Sequence, residues 1–570
     1  WYLATDELER VPELRLVEWL ADRELGARPV ELAAHARLCA LLGPDFTAAE
    51  AEGVVHALEQ DGGAAGFPLD PRHATRRLLD LGLLVAHRQE GLSFRNELLR
   101  ATVERALPEA DRERIHRAAF RYYLSEADSS RRQHLPRLAL HAAAAGLRDE
   151  AAALYIDLAE SARGRHAYLE AESTYTRALE LLDVEDSRRL TVLRGRGLMR
   201  YRVGRYEDSL ADFAAARALA RQHGNLVDEV DLLLDEAMAY DWINDYARSE
   251  ERVFAAQELA FDAKLQTPLL QVRLLLGVGR TQFRNGQWEE SCEPLEAAAA
   301  RARQLGDAGY ESLIVAQLLL GVILPNLGRI DDAERILEEV IAACTERGDR
   351  LHLGSAINNR RNLWVARNNL QGALADQERF MHLGRELGMV GWEYFAEHNM
   401  GELLYQSGEP EAAAPHIARA IELEKRHPEM APRPWALLLR ARTLAYMGQA
   451  GRARELLAEI QGTLAQSGAE FSPSEQVIFD AVELSTREAG AEEWEALLAR
   501  SNEDSVEQEP LEVLELRGLA HLRRGEHALA VRVLEEALHR AEQVPNVMRG
   551  RLRRSLERAG AMSPDTSPGG

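Results

Sequence analysis

The sequence predicts an all-α protein, a right-handed α-solenoid of antiparallel helix pairs preceded by a small helical domain with a β-hairpin. Three observations predict this fold class. The 570 residues are rich in Ala, Leu, Glu and Arg, and aromatic residues make up only 6%, as is typical of long helical chains. A short phrase recurs every 40 to 42 residues, a period found in solenoids. Residues 31–127 differ, with three helix-like stretches before one hairpin-like stretch.

The recurring phrase consists of Gly or Asn, a spacer, an aromatic or apolar residue, two polar residues and then Ala or Ser. It reads GRYEDS at 204–209, NDYARS at 244–249, GQWEES at 286–291, GRIDDA at 328–333, NNLQGA at 368–373, GEPEAA at 408–413, GQAGRA at 448–453 and GEHALA at 525–530. The Gly or Asn suits the left-handed residue that ends a first helix, and the closing small residue lets the second helix approach closely. Twelve residues before it lies another small position, occupied by Gly197, Ala237, Gly279, Gly321, Gly401, Ala441 and Gly518.

Turn, small positions and period together resemble the tetratricopeptide repeat, in a variant with longer helices, over about residues 186–545. We assign a repeat array to 186–558 and a disordered tail to 559–570. One copy departs from the pattern, because Arg361 occupies the close-packing position of the repeat that closes at Ala373. A degenerate copy near 471–500 predicts a bend or an interruption of the array.

The region before the repeats predicts a winged-helix domain at 31–127. Its helices are expected at 31–43, 48–60 and 71–82, and its hairpin at 83–96, turning near Gly91.

The residues that follow the hairpin resemble the segment after the nucleotide-binding domain of STAND-type signalling ATPases, including bacterial ones fused to serine/threonine kinases. The matching residues are Phe94, Arg95, Arg112 and His116, while Asn96 stands where that family usually has His. The resemblance implies a helical linker at 128–185 and a lead-in helix at 1–30. It also implies that an ATPase or kinase domain lies upstream of Trp1 in a longer parent chain.

Lysine is scarce, because only Lys264 and Lys425 occur among 69 basic side chains. Neither follows a glycine, so the Gly-Lys-Ser/Thr phosphate loop is not encoded here. Neither lies in the strand context of a kinase lysine or in a setting suited to Schiff-base chemistry. We therefore expect no catalytic residues and no cofactor.

Composition excludes further classes of function. The formal charge of −24 argues against wholesale nucleic-acid binding. Three cysteines far apart in sequence, Cys39, Cys292 and Cys344, give neither a disulfide framework nor a zinc ribbon, which fits a cytoplasmic location. We find no apolar run of membrane length and expect no membrane partner.

Two residue groups have a functional and a structural interpretation. The arginine-rich helix with Arg72, His73, Arg76 and Arg77 suits a DNA groove, but the acidic composition and the STAND resemblance favour intramolecular salt bridges. His134 and His141 are seven residues apart and form a conceivable metal pair. A solvated or core-edge histidine pair is the favoured interpretation, so we predict no metal site.

The binding surface of a solenoid is normally its concave side, lined by the first helix of each pair. Aromatic, arginine and amide side chains at inward positions suit an extended peptide. The predicted ligand-binding residues are Arg194, Tyr201, Asp241, Trp242, Arg280, Phe283, Asn358, Asn362, His398, Glu402, Tyr405 and Arg442. The densest polar stretch is 358–362, NNRRN, which contains the anomalous Arg361.

These observations favour a non-enzymatic sensor and regulatory module. The repeats would bind a protein, a peptide or a small ligand, and the winged helix would relay occupancy to the upstream ATPase or kinase. One alternative is a DNA-binding transcription regulator of the large maltose-activator type, but that family ends in a helix-turn-helix, whereas this chain ends in a short basic helix and a tail. A passive scaffold is the other alternative.

Overall fold

The computed structural model describes residues 25–60, 66–67, 70–87, 91–105, 107–243, 245–427, 433–503, 508–543 and 546–561. The chain divides into two compact units, Trp1–Ile243 and Asn244–Gly570. Most of the expected lead-in helix at 1–30 lies outside the described residues.

The described part of the first unit begins with a small helical region that carries a sheet. Its elements are α1 (Val30–Leu41), β1 (Phe46–Thr47), α2 (Ala48–Gln60), α3 (Pro71–Asp80), β2 (Leu84–Ala86), β3 (Gly91–Phe94), α4 (Glu97–Arg105) and α5 (Glu109–Ala144). Asp70 caps α3 by accepting a hydrogen bond from the backbone N–H of His73, and Pro71 supplies a first-turn residue that needs no backbone donor. Strands β2 and β3 form the predicted hairpin, and the short β1 adds a third antiparallel strand on the other edge of β3. The winged-helix assignment itself stays a prediction.

Helix pairs fill the rest of the first unit and nearly all of the second. The first unit continues with α6 (Arg148–Gly164), α7 (Tyr168–Leu181), α8 (Arg188–Arg202), α9 (Tyr206–Gln222) and α10 (Leu226–Trp242). The second unit contains α11 (Tyr246–Asp262), α12 (Pro268–Arg284), α13 (Trp288–Gln304), α14 (Tyr310–Asn326), α15 (Ile330–Arg347), α16 (Arg350–Ala366), α17 (Leu370–Leu387), α18 (Val390–Ser407), α19 (Pro410–Arg426), α20 (Trp435–Tyr446), α21 (Ala450–Ser467), α22 (Pro473–Thr486), α23 (Ala491–Glu503), α24 (Gln508–Arg523), α25 (His527–Gln543) and α26 (Arg549–Ala561).

From α5 to α10 in the first unit, and from α11 to α26 in the second, consecutive helices pack against one another. The predicted all-α architecture of tetratricopeptide-like helix pairs, an α-solenoid, is therefore confirmed.

The recurring phrase lies where the repeat analysis predicts, at the turn between the two helices of a pair. Gly204, Gly286, Gly328, Gly408 and Gly525 all adopt positive φ there, the conformation that favours glycine after a helix. Asn368 takes the same conformation, with φ of 52°.

The small residue of the first helix contacts one particular residue of the second helix. A Cβ built on Gly279 would lie 2.6 Å from Cγ of Leu295, and one on Gly321 would lie 2.5 Å from Cδ2 of Leu337. The leucine lies four residues after the small residue that closes the phrase. Glycine is needed here because a side chain would overlap a fully buried leucine.

In the repeat with Arg361, polar residues occupy both positions of this contact. The residue that would contact position 361 is Gln377, which is fully buried, instead of a leucine. Arg361 turns toward α18, where its Nη1 donates to Oδ1 of Asn399 at 2.9 Å. Helices α16 and α17 still pack together, and Ala373 is fully buried.

Two boundaries differ from the predicted ones. The degenerate region near 471–500 contains a helix pair, and its helices α22 and α23 are short, with 14 and 13 residues, where most helices of the array have 15 to 18. Helix α26 continues to Ala561, past the predicted start of the tail at residue 559, because Ala559 is buried in a hydrophobic core. Residues 562–570 lie outside the described part of the chain.

One helical stretch within the described residues, Gly306–Asn326, is long and apolar enough to cross a membrane by length and composition. The expectation that no such run occurs was therefore wrong. In the structure, α14 in this stretch supplies Ile314, Leu320 and Ile323 to hydrophobic cores between helix pairs.

Candidate functional site

Arg194 lies on α8 among three carboxylates of α10. Its Nε donates to Oδ2 of Asp235 at 2.9 Å, and its Nη2 lies 3.1 Å from Oδ2 of Asp231. Asp228 lies slightly farther away, with 3.5 Å between Nη1 and Oδ1. Burial alone would lower the pKa of this arginine, but the carboxylates outweigh burial and raise it. In this arrangement Arg194 joins adjacent helix pairs.

Two of the predicted ligand-binding residues, Tyr201 and Trp242, contact each other in the structure. The indole Nε1 of Trp242 donates to the hydroxyl of Tyr201 at 2.8 Å, and the indole stacks on Tyr206 with 5.7 Å between ring centroids. Trp242 is still 52% exposed. Asp241, its neighbour in sequence, is buried, so it does not share this surface.

Arg280 and Phe283 lie on α12 in the second unit. Arg280 is buried, with only 8% of its surface exposed, and Phe283 is partly buried beneath the guanidinium of Arg284 at 5.4 Å from the ring centroid. Neither side chain contributes to the cleft described next.

A cleft of about 110 Å³ lies between the facing surfaces of α16 and α18. Polar side chains from both helices dominate its wall, and it is lined by Arg361, Asn362, Val365, Glu402, Leu403 and Gln406. Asn362 and Glu402 occupy the same position in successive repeats, 40 residues apart. The helical repeat therefore places their side chains side by side on the wall of the cleft.

The polar side chains beside the cleft are fixed by hydrogen bonds. Asn358 accepts from Nδ2 of Asn399 at 3.1 Å and from Nε2 of Gln377 at 3.4 Å. Arg361 lies 3.6 Å from Glu402 and donates to Oδ1 of Asn362 at 3.4 Å. Asn358 thus supports the wall from behind, while Arg361 and Asn362 line the cleft.

Charges around the cleft set the ionisation of its carboxylate. Burial alone would raise the pKa of Glu402, but Arg442, His398 and Arg361 outweigh it and lower this pKa to about 2. Burial lowers the pKa of His398, and the two arginines add to that effect while Glu402 opposes it. At neutral pH the cleft therefore has a fixed negative charge beside the fixed positive charge of Arg361.

Tyr405 and Arg442, two more predicted ligand-binding residues, lie in a buried network behind the cleft. Arg442 donates to Glu402 at 3.0 Å and to both carboxylate oxygens of Glu512 on α24, at 2.9 and 2.6 Å. The hydroxyl of Tyr405 donates to Oε1 of Glu512 at 2.7 Å. Tyr405 has no exposed surface, so in this arrangement a ligand reaches Glu402 but not Tyr405.

The network extends to the last helix, α26. Arg551 is fully buried, donates to the hydroxyl of Tyr405 at 2.8 Å and lies 2.6 Å from Oε2 of Glu515. Its guanidinium also stacks over the rings of Tyr405 and Tyr446, at 3.9 and 4.5 Å from their centroids. First helices from four positions in the array, α18, α20, α24 and α26, therefore meet around one set of buried charges.

Sequence reasoning missed Glu512, Glu515 and Arg551. The signal for the two glutamates was present, since both interrupt an apolar run at 511–516, LEVLEL, where a regular helical core would place them inward. Arg551 had no such signal, because its helix contains five arginines at 549–558 and only contacts with distant repeats distinguish the buried one.

The two ambiguous residue groups lie in the first unit. Arg72 pairs with Glu52 at 2.7 Å on the exposed face of α3, while Arg76 and Arg77 are exposed. His141 is buried and contacts His116 rather than pairing with His134, with 2.8 Å between the two Nδ1 atoms. Among the residues that the structure describes, no group of three or more His, Cys, Asp or Glu side chains could hold a metal ion.

Comparison with known proteins finds similarity only among solved structures. A Rap protein complexed with competence and sporulation factor is 16% identical, with a TM-score of 0.41, over 66% of this chain and 96% of that one. A signal transduction ATPase with numerous domains and a tetratricopeptide repeat sensor, from Pyrococcus horikoshii, is 12% identical, with a TM-score of 0.44, over 78% of this chain and 64% of that one. Yeast Tom70 is 12% identical, with a TM-score of 0.33, over 78% and 92%. No protein-family model matches this chain, and no curated protein matches it.

Proposed function

We propose that this chain is a non-catalytic, cytoplasmic sensor and regulatory module that binds an extended peptide segment of a partner protein at the cleft between α16 and α18. The observation that supports this proposal is the pairing of partly exposed polar residues on the two helices. Asn362 and Glu402 line the cleft together with Arg361 and Gln406. Amide side chains pair with a peptide backbone, and the two opposite charges orient a ligand that carries both.

The size of the cleft favours a peptide among the ligand classes considered. Sites for small molecules and cofactors usually enclose about 300–1,000 Å³, whereas this cleft has about 110 Å³. That volume suits one anchoring side chain of a longer chain whose backbone runs along the helices. The ligand class is therefore a peptide segment rather than a cofactor-sized molecule.

The buried network gives this site a physical connection to distant repeats. Glu402 belongs both to the cleft and to the set of charges that includes Arg442 and Glu512. A ligand that competes for Glu402 changes the balance of these pairs, and it shifts a conformational equilibrium by the difference in its affinity for the two states. We propose that an ATPase or kinase domain of the parent chain receives this change through the region at 31–127. A Gly-Lys-Ser/Thr loop about 250–400 residues upstream of Trp1, read from the genomic sequence, would support the relay, and its absence from the whole reading frame would contradict it.

The binding site is tested by replacing Asn362. Peptides selected on the wild-type chain from a displayed random library are measured by fluorescence anisotropy against Asn362→Ala. We expect affinity to fall about tenfold, as for one lost hydrogen bond to a buried peptide group.

The matched control is Gln461→Ala, which removes an exposed amide on α21 and should leave affinity unchanged. Equal affinity of wild type and Asn362→Ala would place the peptide elsewhere on the chain. Far-ultraviolet circular dichroism of all three proteins checks that the helices persist.

A further inference from the structure

The second helices of the repeats share two outward positions. These positions lie five and twelve residues after the small residue that closes the recurring phrase. In every second helix that carries the phrase, with the exception of α11, both residues are exposed and are polar, charged or small. They are Ala214 and Arg221, Glu296 and Arg303, Glu338 and Thr345, Glu378 and Arg385, Ala418 and Lys425, Ala458 and Ala465, and Glu535 and Glu542.

Helix α11 carries phenylalanine at both of these positions. Phe254 is 59% exposed and Phe261 is 83% exposed. They are two turns apart on one face, about 10.5 Å along the helix axis. The helix buries a different face, which includes Ser249, Val253 and Ala256. The fold therefore does not need these two aromatic side chains.

Carboxylates surround the two phenylalanines on the same helix. Glu251 and Glu258 are exposed and lie three residues before each phenylalanine, and Asp262 is exposed next to Phe261. Glu251 also lies 2.9 Å from Nη1 of Arg252, so its charge is partly balanced. The face is thus apolar at its centre and acidic along its edge, as in interfaces that combine buried anchors with a charged rim.

We propose that this face of α11 is a docking site for a basic amphipathic helix of a partner protein. Two apolar side chains of that helix, spaced by two turns, contact Phe254 and Phe261, and its flanking Lys or Arg side chains pair with the acidic rim. The charge selects this occupant. A second copy of the chain would bring the same carboxylates and be repelled, and nucleic acid or an anionic membrane would be repelled likewise. The surface is separate from the cleft and does not rest on the peptide proposal.

The test uses the full chain with the photoreactive residue p-benzoylphenylalanine in place of Gln257, which is exposed between the two phenylalanines. The protein is irradiated in a lysate of the source organism, and the cross-linked segment is sequenced. We expect one segment of a different protein, with apolar residues at helical spacing and a net positive charge. Cross-linking should fall several-fold when salt is raised from about 0.05 M to about 0.5 M, because screening weakens the charged rim.

Two variants separate docking from folding. Phe254→Glu/Phe261→Arg copies the residues that α13 carries at these positions, so it should fold normally and lower the yield at least tenfold. The matched control Ala458→Glu/Ala465→Arg changes the same positions of α21 and should leave the yield unchanged. Cross-linking to a second copy, to lipid or to nucleic acid, an acidic cross-linked segment, or equal yields with both variants would overturn the proposal.

Discussion

At the scale of single residues, a glycine at the crossing position of a first helix sets how closely the paired helix approaches, as at Gly279 and Gly321. Replacing Gly279 by Ala would place a methyl group 2.6 Å from Cγ of Leu295, which is fully buried and has little room to move. We expect the overpacking cost of about 1–3 kcal/mol to exceed the gain in helix propensity, so that the midpoint of urea unfolding falls.

Gly462 provides the matched control. It lies inside α21, and a Cβ built there meets nothing within 4 Å. Gly462→Ala should therefore raise the free energy of unfolding by about 0.5–1 kcal/mol. Equal shifts of both variants in the same direction would show that close approach does not decide the choice of glycine.

Residue patterns predicted the helix pairs well because each pair has the same local requirements. The turn needs a residue that tolerates positive φ and the helix crossing needs a small residue, so both positions can be recognised in the sequence, as at Gly286 and Gly279. In one repeat Arg361 replaces the small residue and Gln377 replaces the residue that it would contact, and only the arginine was recognised from the sequence. The arginine can be explained only together with Gln377, which lies sixteen positions further along the chain.

At the scale of elements, α26 is fixed to earlier repeats by one buried arginine. Arg551→Met removes a cation that contacts Glu515 at 2.6 Å and the hydroxyl of Tyr405 at 2.8 Å. A buried carboxylate without its partner typically costs about 3–5 kcal/mol. We therefore expect a large fall in the free energy of unfolding of the second unit, together with faster hydrogen exchange in α26.

The control for this helix is Arg553→Met, since Arg553 is exposed on the same helix and its loss should have little effect. The double variant Arg551→Met/Glu515→Gln should recover part of the stability, because the remaining amide is neutral. If the double variant is no more stable than Arg551→Met, the ion pair does not account for the loss.

The same element explains why part of the candidate site could not be predicted. Repeat spacing placed Tyr405 and Arg442 on the inner side of their helices, and that placement predicted a ligand. The structure fills this space with Glu512 and Arg551 instead, from helices 70 and 146 residues away from these two residues. A 40-residue pattern describes contacts between neighbouring repeats, so contacts across several repeats are beyond what it predicts.

At the scale of the whole molecule, the two units differ in the buried titratable groups that they contain. The first unit holds three buried histidines. Burial lowers the pKa of His35 to about 4, that of His116 to about 4 and that of His141 to about 3, and nearby Arg112 and Arg137 add to the effect for the last two. Each is hydrogen-bonded while neutral, His35 to Thr75 at 2.8 Å and the other two to one another.

These histidines predict that acid weakens the first unit. An unfolded histidine binds a proton below about pH 6.5, whereas the folded ones stay neutral to about pH 4 or below, so stability is present above pH 6.5 and is lost as the pH falls toward 4. At pH 5 the difference for His35 alone corresponds to about 2 kcal/mol. Hydrogen exchange followed by mass spectrometry at pH 7 and pH 5, corrected for the intrinsic rates, should show α1, α3 and α5 losing protection.

The substitution His141→Gln removes one of these protonation sites and keeps a polar partner for His116, so the loss of protection between pH 7 and pH 5 should become smaller. His56→Gln is the matched control, because His56 is 72% exposed on α2 and should not change the pH dependence. If both variants lose protection as the wild type does, the buried histidines do not cause the acid sensitivity. The three histidines lie on two helices of the first unit, His35 on α1 and both His116 and His141 on α5, so a loss of protection in both helices at pH 5 would show that acid weakens more than one part of this unit.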